Sequence, residues 1–139
     1  MNPIAATTPV PMLSPEALAA LAGRYIEMWN IADAAERRRA VESVWVPEGC
    51  HSVRTLQARG YEELVQRVAS SHEKNVRDKG FRFRLSGQPQ QLQGAVLLHW
   101  DMMCPPSPAL EAYGLVFAHL APDGRIAADY QFVLPTPQA

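Results

Sequence analysis

The chain has 139 residues, 47% of them apolar and 19% charged, which is one domain's worth of sequence and excludes intrinsic disorder. Thirteen Lys+Arg against fourteen Asp+Glu leave a net charge of −1, so no global field draws the chain to nucleic acid or to anionic lipid. Its uninterrupted apolar runs fall far below the ~20 residues that a membrane helix needs, and neither nucleic acid nor membrane is expected as a partner.

Cys50 and Cys104 form no C-x-x-C pair and no disulfide framework. Residues 1–12 lack a basic, continuously apolar leader. Both thiols are therefore expected to be reduced and the protein cytoplasmic. Pro3, Pro9, Pro11 and Pro15 crowd one end, and Pro135 and Pro137 the other. This predicts a flexible tail over 1–13, a single domain over 14–134 and a short tail over 135–139.

Ser14 as N-cap, Pro15 and Glu16 open a helix over 15–30, whose apolar face is Leu18, Leu21, Tyr25, Met28 and Trp29. Asp33 with Glu36 opens a second over 34–45, running through Val41, Val44 and Trp45 to a stop near Pro47. Arg37, Arg38 and Arg39 in it point about 100° apart and read as a solvated face. Residues 50–56 read as a short strand. A third helix over 61–79, with Leu64, Val65, Val68 and Val76 inward, ends at Gly80. The period then changes to two. Strands are predicted over 81–86, 94–103, 110–121 and 125–134, with Pro122-Asp123-Gly124 as a tight turn. Helices early and hairpin-connected strands late argue an α+β fold, with helices on one face of an antiparallel sheet.

No G-x-G-x-x-G, G-x-S-x-G or H-E-x-x-H motif is present. His99 and His119 fall on neighbouring predicted strands, but no third ligand is in view, so neither a metal nor a cofactor is expected.

Arg24-Tyr25-Ile26-Glu27-Met28-Trp29-Asn30, followed by Asp33, resembles the first helix of the nuclear transport factor 2-like superfamily. More closely, it is similar to the SnoaL-like branch, which includes polyketide cyclases and is related to ketosteroid isomerases. Later pieces follow in the same order: Val44-Trp45, Arg59-Gly60-Tyr61-Glu62-Glu63-Leu64, Phe81-Arg82-Phe83, Trp100, and Leu120-Ala121-Pro122-Asp123-Gly124-Arg125-Ile126 ahead of Phe132. The resemblance covers about residues 16–134. It implies a cone, in which a bent antiparallel sheet is closed on its concave side by three helices around a pocket. Ketosteroid isomerases use an Asp base with an oxyanion hole made by a Tyr and a protonated Asp. Tyr25 matches the Tyr. The base position falls on Val53 and the second Asp position on Val116, and valine can neither take nor give a proton. That particular chemistry is not expected.

Strand alternation from Val53 points His51 inward. The register of the resemblance also turns Asp129 and Gln131 inward. Plain alternation disagrees, because Ile126, Ala128, Tyr130 and Phe132 are the apolar set and would leave Asp129 in water. The candidate catalytic residues are accordingly Tyr25, His51 and Asp129. The candidate ligand-binding wall is Trp29, Val53, Leu64, Val68, Leu98, Trp100, Val116 and Gln131, with Val96 and Met102 beside them. The expected partner is a small apolar or aromatic molecule. Isomerisation, cyclisation or dehydration are the reaction types, with histidine suited to acid–base work because it ordinarily titrates near pH ~6.5. A non-catalytic ligand-binding or protein-interaction domain is the alternative. Finally, Tyr113 to Leu120 is apolar on both alternating faces, which predicts a homodimer through the convex side of the sheet.

Overall fold

The structure is a computed structural model that describes residues 12–135. Of the tails expected over 1–13 and 135–139, residues 1–11 and 136–139 lie outside the described residues. Leu13 is held in place, its N–H donating to Gln91 Oε1 at 3.0 Å and its carbonyl accepting from Gln91 Nε2 at 2.6 Å.

Helix α1 spans Pro15–Met28 and is capped as its sequence demands, Ser14 Oγ accepting from the Ala17 N–H at 3.1 Å. Its exit is pinned by Asn30, which donates to the Phe83 carbonyl at 2.7 Å and accepts from the Phe83 N–H at 2.9 Å. Helix α2 spans Ala34–Val44, with Asp33 accepting from the Glu36 N–H. It stops one residue earlier than its apolar pattern suggests. Trp45 is already extended and starts strand β1, Trp45–Val53. The cause is tertiary: Trp45 pairs with Ile126 in the sheet, while Arg125 Nη1 and the Tyr61 hydroxyl hold the Glu42 and Trp45 carbonyls at the helix exit. Arg37 is buried, unlike the solvated face expected of it, whereas Arg38 meets Glu42 and Glu62 at the surface.

A two-residue turn at Arg54 and Thr55 leads into β2, Leu56–Arg59, an element that the mixed pattern of this segment concealed. Helix α3 spans Gly60–Ser71 and continues as a π-helical turn over His72–Arg77, in place of one α-helix to residue 79. Strands β3 (Arg82–Leu92), β4 (Ala95–Met103), β5 (Leu110–Leu120) and β6 (Ile126–Leu134) follow. β3 runs on past Gly87 and Pro89, which read as loop signals. It lies at the sheet edge and a register shift between Ser86 and Gln90 absorbs them.

The six strands are ordered β2-β1-β6-β5-β4-β3. β4, β5 and β6 pair antiparallel, as their short connections require. The sheet as a whole is mixed, not antiparallel, because β1 runs parallel to β6; the long chain between them leaves their relative direction free. The fold is thus α+β, an open six-stranded sheet with α1 packed along β3 and α3 along β1. Leu21, Met28, Val41, Val44, Leu64, Val68, Val96, Leu98 and Ile126 fill the space between the layers. Among the described residues no helix is long and apolar enough to cross a membrane.

Candidate functional site

A carboxylate sits where the layers meet. Asp129 is 0% exposed, and its two oxygens accept three hydrogen bonds. The Tyr25 hydroxyl donates to Oδ2 at 2.7 Å, Trp45 Nε1 donates to Oδ1 at 2.7 Å, and His51 Nδ1 reaches Oδ2 at 2.8 Å. α1, the start of β1 and the end of β1 each deliver one donor. A buried carboxylate would be costly alone, and three donors from two elements are what offset its desolvation.

Asp129 faces inward because β6 is bulged. Between its pairings with β5, Ile126 lies opposite Leu120 and Ala128 opposite His119, so Ala127 is an extra residue. The extra residue reverses the alternation, and Ile126 and Asp129 both end up buried. Tyr130 and Phe132 are thereby turned outward. Of the two readings that the sequence allows, the inward Asp129 is the observed one.

The other side of His51 defines its tautomer. Arg67, on α3, directs its Nε at His51 Nε2 at 3.3 Å. A guanidinium has only donors, so Nε2 is the acceptor and the imidazole carries its proton on Nδ1, facing Asp129. The ring is packed between Trp29, with centroids 5.5 Å apart, and Trp45, at 5.8 Å. The Arg67 guanidinium lies 5.0 Å from the Trp29 ring centroid. Burial pushes the Tyr25 phenol well above its ordinary value, with the Asp129 charge adding to the rise, so Tyr25 is held as a donor. Burial lowers the Arg67 value, and the nearby charge of Arg54 lowers it further.

Beside this network a cavity of about 480 Å³ opens between β1, the α3–π-helix segment and β4 to β6. Val53, Phe83, Trp100 and Gln131 line it, with Arg54, Arg67, Lys74 and Lys79 among the polar groups at its walls. A recess of about 10 Å³ adjoins it, sharing Phe83, Trp100 and Gln131 and adding Tyr25 and Trp29. That is room for about one water molecule. Trp100 Nε1 and Gln131 Oε1 are buried and make no hydrogen bond. Elsewhere, His72 Nε2 is likewise unpartnered, and burial lowers the ring's pKa with help from Arg37 and Arg77.

The structure therefore gathers Tyr25, His51 and Asp129 into one hydrogen-bonded group, with Tyr25 on the recess wall. It does not put Tyr25, His51, Trp100 and Val116 around one cavity. His51 and Val116 line neither space, and Leu64, Val68, Leu98 and Val116 are core residues at 0–1% exposure. The wall expected to be apolar is mostly polar. His99 and His119 stay apart, opposite Leu115 and Ala95 respectively, and no metal-ligating cluster occurs among the described residues. Trp45 and Arg67 are the functional neighbours that sequence reasoning passed over. Arg67 had a signal, since it follows Leu64 by three and precedes Ser71 by four on the buried side of α3.

No family model and no curated protein matches this chain. Solved structures do. A candidate isomerase of the SnoaL-like family from Agrobacterium tumefaciens superposes with a TM-score of 0.77 at 22% identity, covering 86% of this chain and 99% of its own. A candidate SnoaL-like polyketide cyclase from Jannaschia sp. CCS1 has a TM-score of 0.68 at 16% identity, covering 88% and 90%. A cystatin-like protein of unknown function from Methylobium petroleophilum has a TM-score of 0.66 at 19% identity, covering 93% and 82%. The chain has the fold that SnoaL-like, NTF2-like and cystatin-like proteins share.

Proposed function

We propose that this chain takes up a small organic molecule in the 480 Å³ cavity and performs acid–base chemistry on it, in the isomerisation, cyclisation or dehydration class. One observation carries the reading. His51 is oriented by Asp129 through Nδ1, which leaves the Nε2 lone pair turned towards Arg67, a residue of the cavity wall. A carboxylate that fixes the tautomer of an imidazole is the arrangement of a general base. When the Arg67 guanidinium turns to a ligand, Nε2 is free to take a proton, and Tyr25 can donate to an oxygen in the recess. The free thiols Cys50 and Cys104 suit a reducing, cytoplasmic setting.

A second reading is a non-catalytic binding domain. It is favoured by one fact: His51 and Asp129 are 0% exposed and every contact they make is satisfied within the chain. Exchange of the α-protons of small enolisable ketones and keto acids in D2O, followed by proton NMR, separates the two. The wild type is expected to accelerate exchange of at least one compound, and His51→Asn to lose roughly 10²–10⁴ of that rate. No acceleration by the wild type, or full activity in His51→Asn, would leave the binding reading.

A further inference from the structure

The cavity is far more cationic than the chain around it. The whole protein has a net charge of −1, yet Arg54, Arg67, Lys74 and Lys79 line one cavity in which Glu111 is the sole acidic wall residue. Four separate stretches supply them: the β1–β2 turn, α3, the π-helical turn and the segment before β3. Among the described residues none of the four makes an ion pair with a carboxylate. Asp78 is paired with Arg77, Asp101 with Arg84, and Asp129 belongs to the buried network, while Glu111 pairs with none of the four. Unpaired cations converging on a concave, partly desolvated surface focus a positive potential there.

A second observation comes from the wall shared with the recess. Trp100 is 4% exposed, and its Nε1–H is a buried donor without an acceptor. Gln131 Oε1 is a buried acceptor without a donor. Unsatisfied buried polar atoms are rare, and each costs the desolvation of that group unless something completes it. A hydroxyl can accept from an indole N–H and can also donate to an amide oxygen. Phe81, Phe83 and the Trp100 ring supply flat apolar surface along the same cavity.

We propose that the ligand of this cavity is a small aromatic or otherwise planar hydroxy-carboxylate, its carboxylate held among Arg54, Arg67, Lys74 and Lys79 and its hydroxyl placed against Trp100 Nε1 and Gln131 Oε1. The inference rests on the reading of the cavity as a small-molecule site and names the class of molecule. It narrows the apolar or aromatic partner expected from the sequence, because a neutral hydrocarbon would leave Arg54, Lys74, Lys79, Trp100 Nε1 and Gln131 Oε1 unanswered. It also gives Arg67 a reason to leave His51, since a carboxylate is a better acceptor for a guanidinium than an imidazole nitrogen.

The test is titration of the 15N-labelled protein with 6-hydroxy-2-naphthoate, 2-naphthol and inorganic phosphate, with the Trp100 indole N–H signal identified through Trp100→Phe. The hydroxynaphthoate is expected to bind saturably and move the Trp100 signal, with affinity falling as salt rises. The double variant Lys74→Gln/Lys79→Gln is expected to weaken it about tenfold and to leave the weak binding of naphthol unchanged. Any of three results would overturn the proposal: no saturable binding of the hydroxynaphthoate up to about 10 mM, naphthol or phosphate binding as tightly as the acid, or an unchanged affinity in the double variant. Binding of the acid without any catalysed proton exchange would keep this ligand class and remove the acid–base reading. Exchange catalysed on neutral ketones alone, undiminished in the double variant, would do the reverse.

Discussion

Asp129 organises the interior through its side-chain contacts, and the Tyr25 hydroxyl is one of three donors that make its burial tolerable. Tyr25→Phe keeps the ring in its tilted contact with Trp29 and its edge contact with Trp45 but removes that donor. A hydrogen bond to a charged group contributes about 1.5–3 kcal/mol, so urea unfolding at neutral pH is expected to show a loss of that order. The same residue sets a pH dependence. Its folded-state pKa is raised above the ordinary 10.0, first by burial and then by Asp129. Above pH 10 the unfolded chain loses the phenolic proton while the folded chain keeps it, so this contribution to stability is complete below 10 and declines as pH rises. The alkaline limb of the stability curve is therefore expected to be flatter in Tyr25→Phe than in the wild type. A variant as stable as the wild type with an identical alkaline limb would show that the Tyr25–Asp129 bond contributes nothing.

At the scale of elements, the bulges decide which residues reach the site. β6 turns Asp129 inward by one extra residue, and β1 gains several between Trp45 and Cys50, so that both Trp45 and His51 face Asp129 although six positions apart. Their even spacing would put both on one face of a regular strand, but far apart along it; six steps of β1 span only three of β6, and that bulge brings both to one carboxylate. Gly114 on β5 shows the same dependence on close fit. It lies opposite Trp100, and a Cβ there would run into the Phe132 carbonyl and stand 2.6–2.8 Å from the indole ring. Gly114→Ala is expected to cost roughly 3 kcal/mol and to displace Trp100, read as a shifted tryptophan emission and a lower urea midpoint. A loss below about 1 kcal/mol with unchanged emission would mean that the indole has room to move.

At the scale of the whole molecule, the sheet has one face under the helices and one that is bare among the described residues. Phe117, Tyr130 and Phe132 are 37%, 43% and 51% exposed, with Phe117 opposite Tyr130 and Leu115 opposite Phe132 in the ladder. His119 stacks edge-on against Phe117 at 5.2 Å and extends the patch. A contiguous apolar face of this kind is suited to burial against its own copy about a two-fold axis. Light scattering at micromolar concentration is expected to give the mass of a dimer, and Phe117→Asp to give that of a monomer, because an unpaired carboxylate in a dry interface costs several kcal/mol. A wild-type monomer would exclude the homodimer; a dimeric Phe117→Asp would move the interface to another face.

The sequence by itself determined the helix starts, the strands of the second half and the architecture class, because caps and hydrophobic periods are local and act before any tertiary contact exists. Ser14 and Asp33 cap the helices that their positions announce. The matched order of Tyr25, Trp45, Trp100 and the Asp123-Gly124 turn also carried the family likeness to the right fold. The tertiary structure alone decided the orientation of Asp129, the early end of α2, the parallel β1–β6 pair and the gathering of four cations around one cavity. Each of these depends on register between distant segments. A one-residue bulge exchanges the two faces of a strand, and no local pattern in the strand records the partner that imposes it.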